Sequence, residues 1–271
     1  MTATLSFSEL CELENFLQEL ADLAGETILP FFRQGLLVDN KLGDGGYDPV
    51  TKADRDAELA LRALIERRFP SHGILGEEHG HKRGTSPLTW VIDPIDGTRA
   101  FVCGMAQWGT LIALNDGVKP IMGVLDQPYL GERWSSVQGK TRFRRHQEPD
   151  RVLKTRACRQ LATAVLSTTS PVGYFDESET RAFWSLSNRA QLTRFGGDCY
   201  AYGLLAMGFI DVIVEAGLKP WDIQALIPII EKAGGVVTDW QGVPCPQGGP
   251  VVACGDPALL PAVLQALADG R

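Results

Sequence analysis

The apolar residues of this chain change their spacing twice, and that limits its fold more than any other feature. Up to Pro70 they recur at helical intervals. Leu10, Leu13, Leu17, Leu20, Ala24 and Ile28 form one stripe that ends before Pro30, behind a capping-box pattern of Ser6 and Glu9. Thr51 can cap a second helix that stops before Pro70. From Gly73 the spacing becomes that of strands: GILG, TWVIDPI, WGTLIALND, KPIMGVLDQP and ERWSSVQG, with a hairpin-type turn at Asn115, Asp116 and Gly117. Further on, strands alternate with helices: TAVLSTT, a helix over 176–188, LTRFGG, the helix CYAYGLLAMG, DVIVEAG, a single helix over DIQALIPIIEKAGG, GVVTDW, VVACG and a closing helix. The pattern predicts an α/β fold with α+β layering.

Polarity rises over 138–151, which sets the expected boundary between an N-terminal lobe, 1–147, and a C-terminal lobe, 148–271. Its basic cluster KTRFRRH reads as a solvated turn. A formal net charge of −7 lacks the electrostatic footprint of a nucleic-acid binder. The start, MTATLSFSEL, has no basic leader followed by an apolar run, and no segment approaches the roughly 18 apolar residues of a membrane span. A cytoplasmic location without membrane attachment is therefore expected. Six cysteines lie scattered without a CxxC pair and read as reduced side chains.

The chemistry concentrates in WVIDPIDGTRAF. A strand ending at Ile92 delivers Asp93 to a sheet rim, and Pro94 is expected to force a turn, so that the carboxylates of Asp93 and Asp96 and the Ile95 carbonyl face one small volume. Like charges that close repel unless a cation lies between them, and such hard oxygen ligands suit magnesium, manganese or calcium. Gly97 and Thr98 then open a helical turn whose free N–H groups favour an anion, so Asp96, Gly97 and Thr98 are candidate phosphate neighbours. Two consecutive surface turns are the plain alternative. Three further stretches are acidic: GILGEEHG with Glu77 and Glu78, DPVTKAD with Asp48 and Asp54, and KPWDIQAL with Asp222 at a helix N-cap. Each has an ordinary structural reading as turn, capping box or helix cap, yet together they have the parts of a multi-metal site. His79 and His81 lack HExxH spacing and read as solvated loop residues. The spacing of Asp93 and Asp96 is not the DxD of an aspartyl-phosphate nucleophile.

In order, Gly76-Glu77-Glu78, Asp93-Pro94-Ile95-Asp96-Gly97-Thr98 and Trp221-Asp222 resemble the signature of the inositol monophosphatase superfamily of magnesium-dependent, lithium-sensitive phosphatases. The resemblance covers nearly the whole chain. It implies a sugar-phosphatase type fold, alternating helix and sheet layers in two lobes, and commonly a homodimer. It implies that Glu77, Asp93, the Ile95 carbonyl, Asp96 and Asp222 hold two or three magnesium ions, with manganese as a substitute. Asp54 and Thr98 match the pair that positions and deprotonates the attacking water, Glu77 joins them as a catalytic residue, and the amides of Gly97 and Thr98 match the phosphate cradle.

Within the superfamily, Ala100 stands where inositol-type members usually carry asparagine, while DPIDGTRAF, WGTLIAL, RFGGDCYAYGLLAMG and VEAGLKPWD resemble the histidinol-phosphate phosphatase branch. Histidinol carries an ammonium and an imidazole, so its pocket should offer carboxylates; Asp198 and Glu215 fit, with Arg194 as a further contact or their partner. The glycine-rich loop 41–47 is a candidate flap. The expected reaction is hydrolysis of L-histidinol phosphate by metal-activated water. Inositol 1-phosphate and 3'-phosphoadenosine 5'-phosphate are alternative substrates, and a catalytically idle anion-binding protein is the alternative of another class.

Overall fold

A computed structural model describes residues 5–34, 38–40 and 49–271; the proposed flap, 41–47, lies outside them. Helix α1 (Phe7–Ile28) carries the expected cap, in which the Ser6 hydroxyl accepts from the Glu9 amide and the Glu9 carboxylate from the Ser6 amide. A two-stranded ribbon, β1 (Val38–Asn40) and β2 (Pro49–Thr51), leads into α2 (Lys52–Arg68). Then follow β3 (Gly73–Gly76), β4 (Gly80–Lys82), β5 (Thr89–Asp96), the short α3 (Thr98–Val102), β6 (Gly109–Asn115), β7 (Pro120–Gln127), β8 (Glu132–Val137), β9 (Lys140–Arg145) and β10 (Arg151–Val152). The second half comprises β11 (Val165–Thr168), α4 (Glu177–Ser187), β12 (Leu192–Phe195), α5 (Asp198–Ala206), β13 (Val212–Leu218), α6 (Pro220–Ile223), α7 (Leu226–Ala233), β14 (Val236–Asp239), β15 (Gly249–Cys254) and α8 (Leu260–Asp269).

An eight-stranded sheet runs β10-β9-β8-β7-β6-β5-β3-β4, and a five-stranded sheet runs β12-β11-β13-β15-β14. The first is antiparallel except for β3 beside β5; in the second, β11 is parallel to β12 and β13. Along β5 and β6, Trp90, Ile92, Ile112 and Leu114 pack on one side against Leu17 and Leu20 of α1 and Ile65 of α2. Val91, Leu111 and Ala113 on the other belong to one cluster with Leu205 of α5, Ile229 of α7, and Ile213 and Ala253 of the smaller sheet. That sheet buries Val212, Val214 and Val252 on its far face, under Phe183 and Leu186 of α4 and Val263 of α8. The result is five alternating layers, α, β, α, β, α. Both sheets are covered twice, which is why their strands read as continuous apolar runs rather than alternating ones.

Two local expectations fail. KTRFRRH forms β9 instead of a turn, because buried Thr141 and Phe143 alternate with half-buried Arg142 and Arg144, a period of two that the density of charge conceals. β10 pairs with β9 and carries the larger sheet on to Val152. The single helix expected over DIQALIPIIEKAGG is two, α6 and α7, because Pro228 has no amide with which to bond the Gln224 carbonyl. Among the described residues no helix is long and apolar enough to cross a membrane.

Leu205 is 0% exposed in the central helical layer. Leu205→Ala should lower the unfolding free energy by about 2–5 kcal/mol, the usual range for a truncated core leucine, as measured by denaturant unfolding.

Candidate active site

The cluster forms where β5 leaves its ladder. Asp93 faces Leu111 and Asp96 faces Gly109, with a bulge over Pro94 and Ile95. Pro94 contributes no amide to the ladder, its carbonyl accepts from Thr110 Oγ1 at 2.7 Å, and the Ile95 amide donates to Asp93 Oδ1 at 3.0 Å. The kink expected at Pro94 is thus a bulge within the strand. The turn comes at Gly97, whose φ of 82° is left-handed and where a Cβ would meet the Gln107 carbonyl at 2.8 Å. Thr98 Oγ1 donates back to the Ile95 carbonyl at 3.0 Å.

The C-terminal half closes on this bulge. Asp222 lies in the first turn of α6 but is not its N-cap; its Oδ2 accepts from the amide of Lys219, which caps the helix, at 2.7 Å. Asp93, Asp96 and Asp222 offer oxygens that all lie within 4.8 Å of one another. The Cys199 amide, at the start of α5, donates to Asp96 Oδ2 at 2.7 Å, so the orientation of Asp96 depends on both halves of the chain. Glu77 stands in the β3–β4 turn on the wall of the same cavity, which measures about 150 Å³.

Charge accumulates there. Burial pushes the Asp93 carboxyl well above its ordinary range, and Glu77, Asp96, Asp222 and Asp54 push it further. Asp96 is raised by burial, then by Asp222 and Asp198, against the opposing bond from Cys199. Asp54 is 1% exposed and does form the capping box, accepting from the Thr51 amide at 2.8 Å and hydroxyl at 2.6 Å. Burial nevertheless lifts it to about 6, with Glu77 adding to the rise. Carboxylates that raise one another in this way, with hard oxygen donors converging, suit a divalent cation of the magnesium type.

Glu215 and Asp198 line the same cavity, Asp198 directly beside Gly97. Glu215 is buried within β13 and accepts from Thr168 Oγ1 at 3.1 Å and from the Thr169 amide and hydroxyl at 2.6 and 2.9 Å. Asp198 is the first residue of α5, after Gly197 as N-cap, and holds a left-handed φ of 42°. Burial raises it to about 6, and the nearby Arg99 opposes the rise. Arg194 is exposed on the edge strand β12, opposite Ser167, and is not among the residues of the cavity wall. His79 and His81 are exposed, as expected.

Residues 9–269 match the model of the inositol monophosphatase family. The chain belongs to that family. It is 43% identical over 240 residues to the bifunctional phosphatase IMPL2, chloroplastic, of Arabidopsis thaliana, covering 88% of this chain and 67% of that one. It is 36% identical over 237 residues to a histidinol-phosphatase of Mycobacterium tuberculosis, covering 86% and 90%. The solved structure of an inositol monophosphatase from Zymomonas mobilis superposes with a TM-score of 0.84 at 42% identity, over 97% of this chain and all of that one. Membership makes the protein a phosphatase, a phosphoric monoester hydrolase, from a family that is typically magnesium-dependent.

The wall of this inositol monophosphatase-family cavity also includes Arg99, Tyr174 and Thr169, which sequence reasoning missed. Arg99 follows the DPIDGT motif directly and its guanidinium lies 4.7 Å from the Tyr174 ring centre. Adjacency to the motif was a usable signal for Arg99. Tyr174 and Thr169 sit in a polar connection with no local pattern to mark them.

Burial holds Glu215 at about 8 against an ordinary 4.5. The folded chain keeps this proton where the unfolded chain has lost it, so Glu215 reduces stability as pH rises from about 4.5 to about 8. In metal-free protein, Glu215→Gln should flatten the fall in melting temperature between pH 5 and 8; parallel profiles for the two proteins would contradict a protonated Glu215.

Proposed function

We propose that this phosphatase hydrolyses L-histidinol phosphate to L-histidinol and phosphate with magnesium. The observation that carries the reading is the pairing of two chemistries in one cavity. The Asp93, Asp96 and Asp222 oxygens lie within 4.8 Å of one another, and the acids Asp198 and Glu215 line the same cavity. An ester with a phosphate at one end and an ammonium and imidazole at the other complements both groups of acids. Relatives named histidinol-phosphatase support the same substrate. Inositol 1-phosphate is the second reading, favoured by the likeness to the Zymomonas mobilis inositol monophosphatase. Either reading goes with a cytoplasmic homodimer that acts on a small phosphate monoester and takes neither nucleic acid nor membrane.

In this proposal Glu77, Asp93, the Ile95 carbonyl, Asp96 and Asp222 hold two or three magnesium ions, for which manganese can substitute. When bound, these ions acidify water and neutralise charge on the phosphate. Asp54, lifted to about 6, is basic enough to take a proton from the attacking water, which it orients together with the Thr98 hydroxyl. The Gly97 and Thr98 amides face the phosphate oxygens, and Asp198 and Glu215 bind the histidinol end. Arg194 is left out of the contact set because it stands exposed on β12.

Phosphate release from L-histidinol phosphate, inositol 1-phosphate, fructose 1,6-bisphosphate and 3'-phosphoadenosine 5'-phosphate, measured in parallel with magnesium, tests the substrate. The proposal expects histidinol phosphate to turn over fastest; a far faster inositol ester would overturn it. Asp93→Asn should abolish magnesium-dependent turnover, and near-normal activity would contradict the proposed ligand set.

A further inference from the structure

We propose that Glu58, a buried carboxylate on α2, is a positioning residue for Glu77, clamping the main chain of the β3–β4 turn from beneath. The inference rests on the reading of Glu77 as a metal ligand and adds a residue to that site.

Glu58 is 0% exposed. Its Oε2 accepts from the Glu78 amide at 2.7 Å, and its Oε1 accepts from the His79 amide at 3.1 Å. Oε1 also accepts from Arg62 Nε at 2.7 Å, and a second nitrogen of Arg62 donates to the Gly80 carbonyl. The carboxylate is therefore paired and multiply hydrogen-bonded, the condition under which a fully buried charge is tolerated. Glu58 and Arg62 together hold the amides of Glu78 and His79 and the carbonyl of Gly80.

Gly76 shows how close this contact is. A Cβ there would lie 2.1 Å from Glu58 Oε1, so glycine is what admits the carboxylate under the turn. The Glu77 amide donates to the Ile92 carbonyl at 3.3 Å, and the next amide, that of Glu78, donates to Glu58. The backbone of Glu77 is thus pinned on both sides, to β5 and to α2, and its side chain leaves from a fixed base toward the cavity. Asp54 and Glu58 are four residues apart on α2, so one helix face carries both the acid that feels Glu77 electrostatically and the acid that holds the Glu77 turn.

A purely structural ion pair would change stability and leave metal affinity alone. A positioning role predicts a loss of metal affinity in protein that is still folded, in the range of about 10–100-fold usual for groups that orient a ligand. Binding of Mn²⁺ to metal-free protein without substrate, followed by the electron paramagnetic resonance signal of the free ion, reads this directly. The variants are Glu58→Gln, Glu58→Asp and Glu77→Gln, with melting temperature recorded for each. Amide ¹H–¹⁵N spectra of the metal-free proteins monitor Glu78 and His79, whose bonds to a charged acceptor should weaken in Glu58→Gln. The expected result is Mn²⁺ affinity weakened about 10-fold or more in whichever Glu58 variants remain folded, with both amide resonances displaced. Wild-type affinity in a folded Glu58 variant, while Glu77→Gln weakens binding, would overturn the inference alone. Unchanged binding in Glu77→Gln would instead remove the underlying assignment of Glu77. Loss of folding in both Glu58 variants would overturn the inference in favour of a structural ion pair.

Discussion

Carboxylates that repel one another are held together at the junction of the two sheets, and the surrounding structure is arranged to keep them there. Asp93, Asp96 and Asp222 bring oxygens within 4.8 Å, and Glu77 and Asp54 add to the potential at Asp93. Such a cluster is costly in a buried site unless a cation compensates it, so the cost of assembling it falls on the scaffold and would be recovered on binding a divalent ion. The family's magnesium dependence and its anionic substrates follow from the same imbalance of charge.

Each acid is delivered by a different device. A proline bulge aims Asp93 and Asp96 to the same side, a hairpin turn carries Glu77, and the first turn of α6 carries Asp222. The Cys199 amide steadies Asp96 from α5, while the packing of α5 and α7 between the sheets brings that helix end to the bulge. The central helical layer therefore has two duties, filling the core and setting the geometry of the acids. That arrangement makes the cavity sensitive to core packing some distance away.

Much of this was legible in the chain. The DPIDGT stretch announces itself because proline, glycine and two aspartates have strong local preferences, and the strands around it are apolar enough to be recognised without their partners. The α1 and α2 caps are local pairs, Ser6 with Glu9 and Thr51 with Asp54, and both form as expected. What escaped depends on contacts distant in sequence. Glu58 reads as one more charge on an amphipathic helix, and only the fold places it under a turn 20 residues later. Thr168 and Thr169 gain meaning through Glu215, which they hold by hydrogen bonds from the neighbouring strand and the connection after it. Arg194, four residues before Asp198 in sequence, stands on the exposed edge strand β12.

These acids are proposed to form one cation site. Crystals grown metal-free and soaked in Mn²⁺, measured at the manganese absorption edge, test it most directly. Anomalous density should appear inside the cavity, between Asp93, Asp96 and Asp222 and beside Glu77. Density confined to surface acids, or none in the cavity at saturating Mn²⁺, would contradict the account.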